Sequence, residues 1–165
     1  MSPPPGYFKV NVDEALFAKS KQSGVGVIMR DGEGNVVAAM CRKLDLPLGV
    51  LEKEAKALEI GVVFAKEVGL RDVVFQADSQ VLINAVHGTG EAASSVLNII
   101  QGVLRKAQGF RTFDFLHTKR QGNAPAHLLA QQAQKVESLA VWLEECPSQV
   151  AHGCAKDVSL FQSSI

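Results

Sequence analysis

Three acidic residues, Asp13, Glu54 and Asp78, occupy positions where the local pattern gives them no structural role of their own. Asp13 ends a run of alternating apolar and polar residues, Glu54 lies at the edge of a helical apolar stripe, and Asp78 closes the apolar run 73–75. Carboxylates at such positions are costly to bury unless a cation meets them. Because Mg²⁺ takes oxygen ligands, three carboxylates that converge from distant segments predict a site for a divalent cation.

Composition indicates one globular domain. The chain has 165 residues, of which 47% are apolar and 21% are charged, and such a length is sufficient for a hydrophobic core. Lys plus Arg and Asp plus Glu are both 17, so the formal net charge is zero. This balance disfavours an extended basic clamp on nucleic acid, because non-specific affinity comes mostly from cations at phosphates. It leaves room for a local basic stripe.

The sequence has neither an apolar run of about 18 residues nor a signal-peptide pattern. We therefore expect an intracellular protein, in the nucleus or cytoplasm, with no membrane partner. The three cysteines are too few and too scattered for a disulfide framework. Cys146, His152 and Cys154 offer at most three zinc ligands, whereas a closed structural site takes four. Reduced thiols in a C-terminal tail are the simpler interpretation.

The first third of the chain predicts a three-stranded antiparallel meander behind a Pro-rich lead-in of residues 1–6. Residues 7–13 alternate between apolar and polar side chains, and strand patterns recur at 23–30 and 35–42. The turn sequence 31–35, Asp-Gly-Glu-Gly-Asn, joins the last two strands and predicts a hairpin.

Residues 51–68 change to a helical period, and Gly69 ends the predicted helix. The apolar positions recur at spacings of four and three: Leu51, Ala55, Leu58, Val62 and Ala65. At about 100° per residue, Glu54 lies roughly 60° from the centre of this stripe. Glu54 is therefore the acid of this helix that can reach the sheet.

After Gly69 the predicted strands and helices alternate along the chain. Residues 73–77 and 112–116 predict strands, 93–108 predict a helix, and Asp78 or Ser79 can cap a helix between them. A last helix is predicted over 124–143, with Asn123 as its cap and Pro125 in its first turn. This order predicts an α/β fold: a mixed five-stranded sheet with strands 4 and 5 parallel to strand 1 and helices on both faces. The domain would span 7–145, followed by a loose tail, 146–165.

Four segments in this order resemble the type 1 ribonuclease H fold, and more narrowly its plant and retroelement-derived, reverse-transcriptase-like subgroup. The four are residues 8–13 (Phe-Lys-Val-Asn-Val-Asp), 54–58 (Glu-Ala-Lys-Ala-Leu), 77–80 (Ala-Asp-Ser-Gln) and 117–127 (His-Thr-Lys-Arg-Gln-Gly-Asn-Ala-Pro-Ala-His). Together with the hairpin they cover roughly residues 3–140. None is specific alone, and the signal lies in their order and spacing.

The resemblance implies a ribonuclease H-type endoribonuclease that hydrolyses the RNA strand of an RNA–DNA hybrid with two Mg²⁺ ions, or Mn²⁺ in their place. Asp13, Glu54 and Asp78 match the family's metal-binding carboxylates. His117 matches the loop histidine that assists proton transfer or product release. We expect a monomer whose partner is the hybrid.

Further residues are assigned by the same resemblance. Gln80 matches a position that contacts the hybrid in its minor groove, and Glu14 and Asn123 complete the predicted substrate-binding set. His127 stands where the family usually carries a fourth carboxylate, and is kept as a metal ligand although Mg²⁺ prefers oxygen. Glu14 stands where the family usually has Gly, so its side chain is expected to crowd and repel the RNA backbone.

Two other functions remain open. One is a nucleic-acid or protein interaction module that kept the fold with weak or no catalysis, which the neutral charge, Glu14 and His127 favour. The other is a different nuclease of the same fold, which the matches at Gln80 and His117 disfavour.

Overall fold

The computed structural model describes residues 6–45 and 48–144. The expected tail, 146–165, with its three candidate zinc ligands, lies outside the described residues, as do the first five residues of the Pro-rich lead-in. Among the helices of the described part of the chain, none is long and apolar enough to cross a membrane.

The described residues form a six-stranded mixed sheet. Its strands are β1 (Phe8–Phe17), β2 (Gln22–Arg30), β3 (Val36–Leu44), β4 (Asp72–Ala77), β5 (Thr112–His117) and β6 (Leu139–Leu143). Their order across the sheet is β5-β4-β1-β2-β3-β6. Strands β1, β2 and β3 pair antiparallel, while β4 pairs in parallel with β1 and with β5. The predicted meander and the parallel strands 4 and 5 are confirmed.

Four α-helices cover the sheet from both sides, as predicted. They are α1 (Val50–Val68), α2 (Gln80–Val86), α3 (Ser94–Ala107) and α4 (Ala124–Gln132). One core packs α1, α2 and α3 against Val10, Val12 and the neighbouring strands. The other core packs α4 against Ile28 and the opposite face. Helix α1 ends at Gly69, whose φ of 94° is left-handed, a conformation that glycine adopts without steric cost.

The prediction of a last helix over 124–143 is wrong beyond Gln132. Helix α4 stops at Gln132, a short 3-10 helix follows at Ala133–Lys135, and residues 139–143 form β6 instead of helix. Strand β6 pairs antiparallel with β3, with Trp142 opposite Ala39. The sheet therefore has six strands, where the sequence pattern predicts five.

Asp72, at the start of β4, joins that strand to β5 at the end of the sheet opposite to Asp78. It accepts hydrogen bonds from Arg111 Nε at 3.0 Å and Thr112 Oγ1 at 2.7 Å, and a further short one from Arg111 Nη2. The bonds to Arg111 and Thr112 lower the pKa of Asp72 from its usual 3.8 to about 2.

Because this pKa is lower in the folded state, the stability that Asp72 contributes is present above about pH 4 and is lost as pH falls towards about 2. We expect Asp72→Asn to flatten the decline in stability across that window, measured by urea unfolding at each pH. Asp45→Asn, at an exposed position, is the control and should leave the decline unchanged. A mutant curve parallel to that of the wild type would contradict this account.

Candidate active site

The pairing of β1 with β4 brings Asp13 and Asp78 to the same level of the sheet. The parallel register sets Asn11 opposite Gln76, and each aspartate follows two residues later on its own chain. Asp13 lies within β1, and Asp78 is the first residue after β4. Burial, followed by repulsion from Asp78, raises the pKa of Asp13. This repulsion indicates that the two carboxylates lie near each other.

His127, in the first turns of α4, contacts Asp13 directly. Its Nδ1 lies 2.9 Å from Asp13 Oδ2, and the histidine side chain is 45% exposed against 13% for the aspartate. The same carboxylate accepts a hydrogen bond from the backbone N–H of Glu14 at 2.9 Å. These contacts lower the pKa of Asp13 in opposition to burial. His127 therefore lies where a ligand or an orienting partner of Asp13 would lie.

Glu14 and Glu54 form a second acidic pair beside the first. Burial, then Glu54, then Asp13 raise the pKa of Glu14, while Lys53 and His127 lower it. The Oε2 atoms of Glu14 and Glu54 are both buried and have no hydrogen-bond partner among the described residues. A buried carboxylate oxygen without a partner is costly, so this pair favours a cation or a proton as a partner.

These acids interact in pairs and do not form one group of ligands around a common point. Within residues 6–45 and 48–144, no three His, Cys, Asp or Glu side chains form a group that could hold a metal ion. The expected convergence of Asp13, Glu54 and Asp78 into one site therefore stays a prediction. The donor chemistry still fits a hard divalent cation, because buried carboxylate oxygens without partners are the ligands that such an ion takes.

Three exposed side chains belong to the segments next to Asp78. Gln80 begins α2 and donates to Asn84 Oδ1 at 2.8 Å. His117 is the last residue of β5, in register with Ala77, and is exposed. Arg120 Nε lies 3.8 Å from Asp78 Oδ2, but its side chain is 92% exposed, so this ion pair contributes little to stability.

Asn123 does not lie where a substrate-binding residue would. It occupies the predicted N-cap position of α4, but its side chain makes no capping hydrogen bond. It is fully buried, donates to the Val12 carbonyl at 2.8 Å and accepts from Asn11 Nδ2 at 2.9 Å. The prediction that Asn123 binds substrate is corrected: all its side-chain contacts are internal, and it ties α4 to β1.

Asn11 and Arg30 are site-supporting residues that the sequence interpretation missed. Both are fully buried, and Arg30 Nη2 donates to Asn11 Oδ1 at 2.9 Å. Their signal in the sequence is weak, because each looks like a solvent-facing residue of an alternating strand. The signal that could have found Asn11 is its position on the same strand face as Ala15 and Phe17, which α4 covers.

This sheet order, with helices on both faces and acids on β1, on α1 and directly after β4, defines a ribonuclease H-like domain. A family model described as reverse transcriptase-like matches residues 11–133. Because the match covers most of the chain, the chain belongs to the reverse transcriptase-like family.

Solved structures share the fold at low identity. RNase H1 from the halophilic archaeon Halobacterium salinarum NRC-1 is 21% identical with a TM-score of 0.73, over 78% of this chain and 98% of that one. The N-terminal RNase H domain of a Mycobacterium tuberculosis protein is 18% identical with a TM-score of 0.69, over 78% and 94%. LC11-RNase H1, solved in complex with an RNA/DNA hybrid, is 18% identical with a TM-score of 0.68, over 76% and 95%. No curated protein sequence matches significantly.

Proposed function

We propose that this chain is a divalent-cation-dependent endoribonuclease that hydrolyses the RNA strand of RNA–DNA hybrids. The observation that carries the proposal is the pair Asp13, on β1, and Asp78, directly after the neighbouring parallel strand β4, with the pKa of Asp13 raised by burial and by Asp78. The fold supports it, since the solved structures that share this fold include an RNase H1 in complex with an RNA/DNA hybrid.

In this proposal Asp13, Glu54 and Asp78 hold the cations through their carboxylate oxygens. Two such cations, when bound, supply the charge that activates a water molecule and stabilises the departing 3′ oxygen. His117 is exposed at the end of β5, in register with Ala77, and in this proposal its imidazole passes a proton to that oxygen. His127 keeps the Asp13 carboxylate oriented through its Nδ1.

One observation favours the second function, an interaction module with weak or no catalysis. The Asp13 carboxylate is already bonded to His127, and Glu14 brings an additional carboxylate beside Asp13 and Glu54. A carboxylate oxygen that already has an internal partner is less available to a cation, and the charge of Glu14 repels the phosphates of a nucleic acid.

The response of the melting temperature to Mg²⁺ and Mn²⁺ separates the two functions. A ligand that binds only the native state must raise that temperature. At a hundredfold excess over its Kd, it raises the free energy of unfolding by about 2.7 kcal/mol. We expect both cations to raise the melting temperature of the wild type. Sodium chloride at the same ionic strength should leave that temperature unchanged. The absence of any response to either cation would favour the interaction module.

We expect the Gln80 side chain to contact the hybrid and to contribute little to the stability of the fold. It is exposed, and its hydrogen bond to Asn84 is a surface pair, so Gln80→Ala should change stability by less than about 0.5 kcal/mol. Recognition of a hybrid relies on 2′-hydroxyl contacts across a wide minor groove. We therefore expect severalfold weaker hybrid binding by fluorescence anisotropy. Gln101→Ala, exposed on α3, is the matched control, and equal losses in both variants would contradict the assignment.

Glu14→Gly and His127→Asp are expected to act on different quantities. Removing the Glu14 side chain should give the larger gain in hybrid affinity, because it removes both bulk and a negative charge near the backbone. His127→Asp sets a second carboxylate against Asp13, so it should lower stability without cations and shift cation preference from Mn²⁺ towards Mg²⁺. Titrating hybrid and each cation into both variants tests this division. If neither variant differs from the wild type, neither residue limits the site.

A further inference from the structure

A buried polar network lies directly beneath the candidate active site. We call Asn11, Arg30, Asn123 and Gln76 the amide network. Asn11, Arg30 and Asn123 are fully buried, and Gln76 is half-buried at the edge. The four residues come from β1, β2, β4 and the chain just before α4. The network therefore joins three strands and the helix that carries His127.

The guanidinium of Arg30 fixes which way the Asn11 amide points. Arg30 Nη2 donates to Asn11 Oδ1 at 2.9 Å, and only the oxygen of an amide can accept. Asn11 Nδ2 is thereby turned towards Asn123 Oδ1 at 2.9 Å and Gln76 Oε1 at 3.2 Å, which engages both of its hydrogens. Asn123 Nδ2 in turn donates to the Val12 carbonyl at 2.8 Å. Arg30 thus sets the orientation of the Asn11 amide, and Asn11 sets the orientation of the Asn123 and Gln76 amides.

Three members of the network each precede a site residue by a short distance along the chain, either two residues or one helical turn. Asn11 precedes Asp13 by two residues on β1, so this pair shares a strand face. Gln76, on β4, precedes Asp78 by two residues, and Asp78 directly follows that strand. Asn123 precedes His127 by four residues, one turn of helix. The bond from Asn123 to the Val12 carbonyl also holds the peptide group that leads into Asp13.

Stability alone does not account for such a network. Burying a guanidinium and two amides is costly, and apolar side chains of similar volume often give equal or greater stability. What a buried hydrogen-bonded network provides instead is one definite arrangement of the elements that it joins.

We propose that the amide network is the positioning device of the active site, in which Asn123 sets α4 against β1 so that His127 meets Asp13. The inference rests on the proposed function for its effect on cations, and on geometry alone for the contact between His127 and Asp13. Asn123, Asn11 and Arg30 are thus positioning residues. They act through Asp13, Asp78 and His127 and touch neither cation nor substrate.

The test compares Asn123→Ala with Val103→Ala, which removes buried volume from α3 without touching the network. Two quantities are measured at a temperature where both variants are folded. The first is the affinity for Mn²⁺ and Mg²⁺ by calorimetry, and the second is the ¹⁵N signature of the His127 ring in cation-free buffer. We expect Asn123→Ala to bind cations roughly 10- to 100-fold more weakly, the usual loss when a supporting residue is removed, and its His127 ring to resemble a free imidazole. Val103→Ala should keep wild-type values of both.

A milder variant covers the case in which Asn123→Ala does not fold. Gln76→Leu removes one bond at the edge of the network and keeps similar volume, and we expect a smaller, severalfold loss of cation affinity. If the network variants retain both wild-type cation affinity and the wild-type His127 signature, the network is merely structural and the inference is overturned. If the wild type binds neither cation, the proposed function fails, and the His127 signature still decides the inference by itself.

Discussion

Replacing Asp13 with Asn is expected to reduce hybrid cleavage by on the order of 10³-fold, equivalent to about 4 kcal/mol of transition-state stabilisation. Asp13 is the acid on which the site's contacts converge: it interacts with Asp78, Glu14 and His127. Asn keeps the shape of the side chain and removes the charge that a cation needs. The same substitution should remove most of the rise in melting temperature that Mg²⁺ and Mn²⁺ give the wild type.

Without cations, Asp13→Asn should be at least as stable as the wild type. Burial and Asp78 raise the pKa of Asp13, so the folded state binds a proton more tightly than the unfolded state does. The stability linked to this group is greatest below its ordinary pKa and declines as pH rises through the raised value. A neutral side chain avoids that decline. Removing a destabilising charge from a functional site in this way raises the free energy of unfolding by about 0.5–2 kcal/mol.

Urea unfolding in EDTA at pH 7, alongside a hybrid cleavage assay, measures both halves of this prediction. Asp114→Asn is the matched control, because it makes the same charge change on an exposed part of β5. It should retain both activity and cation response. An Asp13→Asn protein that still cleaves at the wild-type rate would remove Asp13 from the site.

Gly26→Ala is expected to destabilise the fold by about 3 kcal/mol or more, at the upper end of what overpacking costs. A Cβ at Gly26 would lie 2.1 Å from the Ala126 carbonyl oxygen and 2.5 Å from the Ala130 nitrogen. Both atoms belong to the backbone of α4, so no side-chain rotation relieves the contact. The helix must move away from β2, and it carries His127 with it.

Chemical denaturation measures this loss, and Gly49→Ala provides the control for the change from Gly to Ala. At Gly49 a Cβ would meet only Glu52 Oε1 at 3.1 Å, the end of a flexible side chain that can move. Gly49 is the N-cap of α1, where Ala is a poorer cap than Gly, so we expect Gly49→Ala to cost about 1 kcal/mol. The folded fraction of Gly26→Ala should also bind cations more weakly, because displacement of α4 separates His127 from Asp13. Equal stability of the two variants would show that α4 does not rest on β2 as described.

The sequence predicts those elements whose patterns are local. The hairpin, the helix that ends at Gly69 and the parallel strands 4 and 5 follow from turn residues, period and capping. Seven of the 11 residues 133–143 are Ala, Gln, Lys, Glu or Leu, which also favour helix. They form β6 because the free edge of β3, about 100 residues earlier in sequence, offers them backbone partners, and a local pattern does not contain that contact.

The same distinction applies to the site. Asp13 and Asp78 could be predicted as neighbours, since acids at equivalent positions of adjacent parallel strands must be close. The burial of Asn11 and Asn123 could not, because it depends on α4 covering the polar face of β1, and this close packing in turn depends on Gly24 and Gly26 in β2. The pairing of Glu14 with Glu54 likewise arises from the packing of α1 against β1.

The most direct test of the account is cleavage of a duplex with one RNA and one DNA strand, each labelled separately, by the wild-type chain with Mg²⁺, Mn²⁺ or EDTA. The account predicts internal cuts in the RNA strand with either cation. It predicts none in the DNA strand, none in duplex DNA, and none in EDTA or with Asp13→Asn. An RNA strand that stays intact with both cations, or that is cut equally in EDTA, would contradict it.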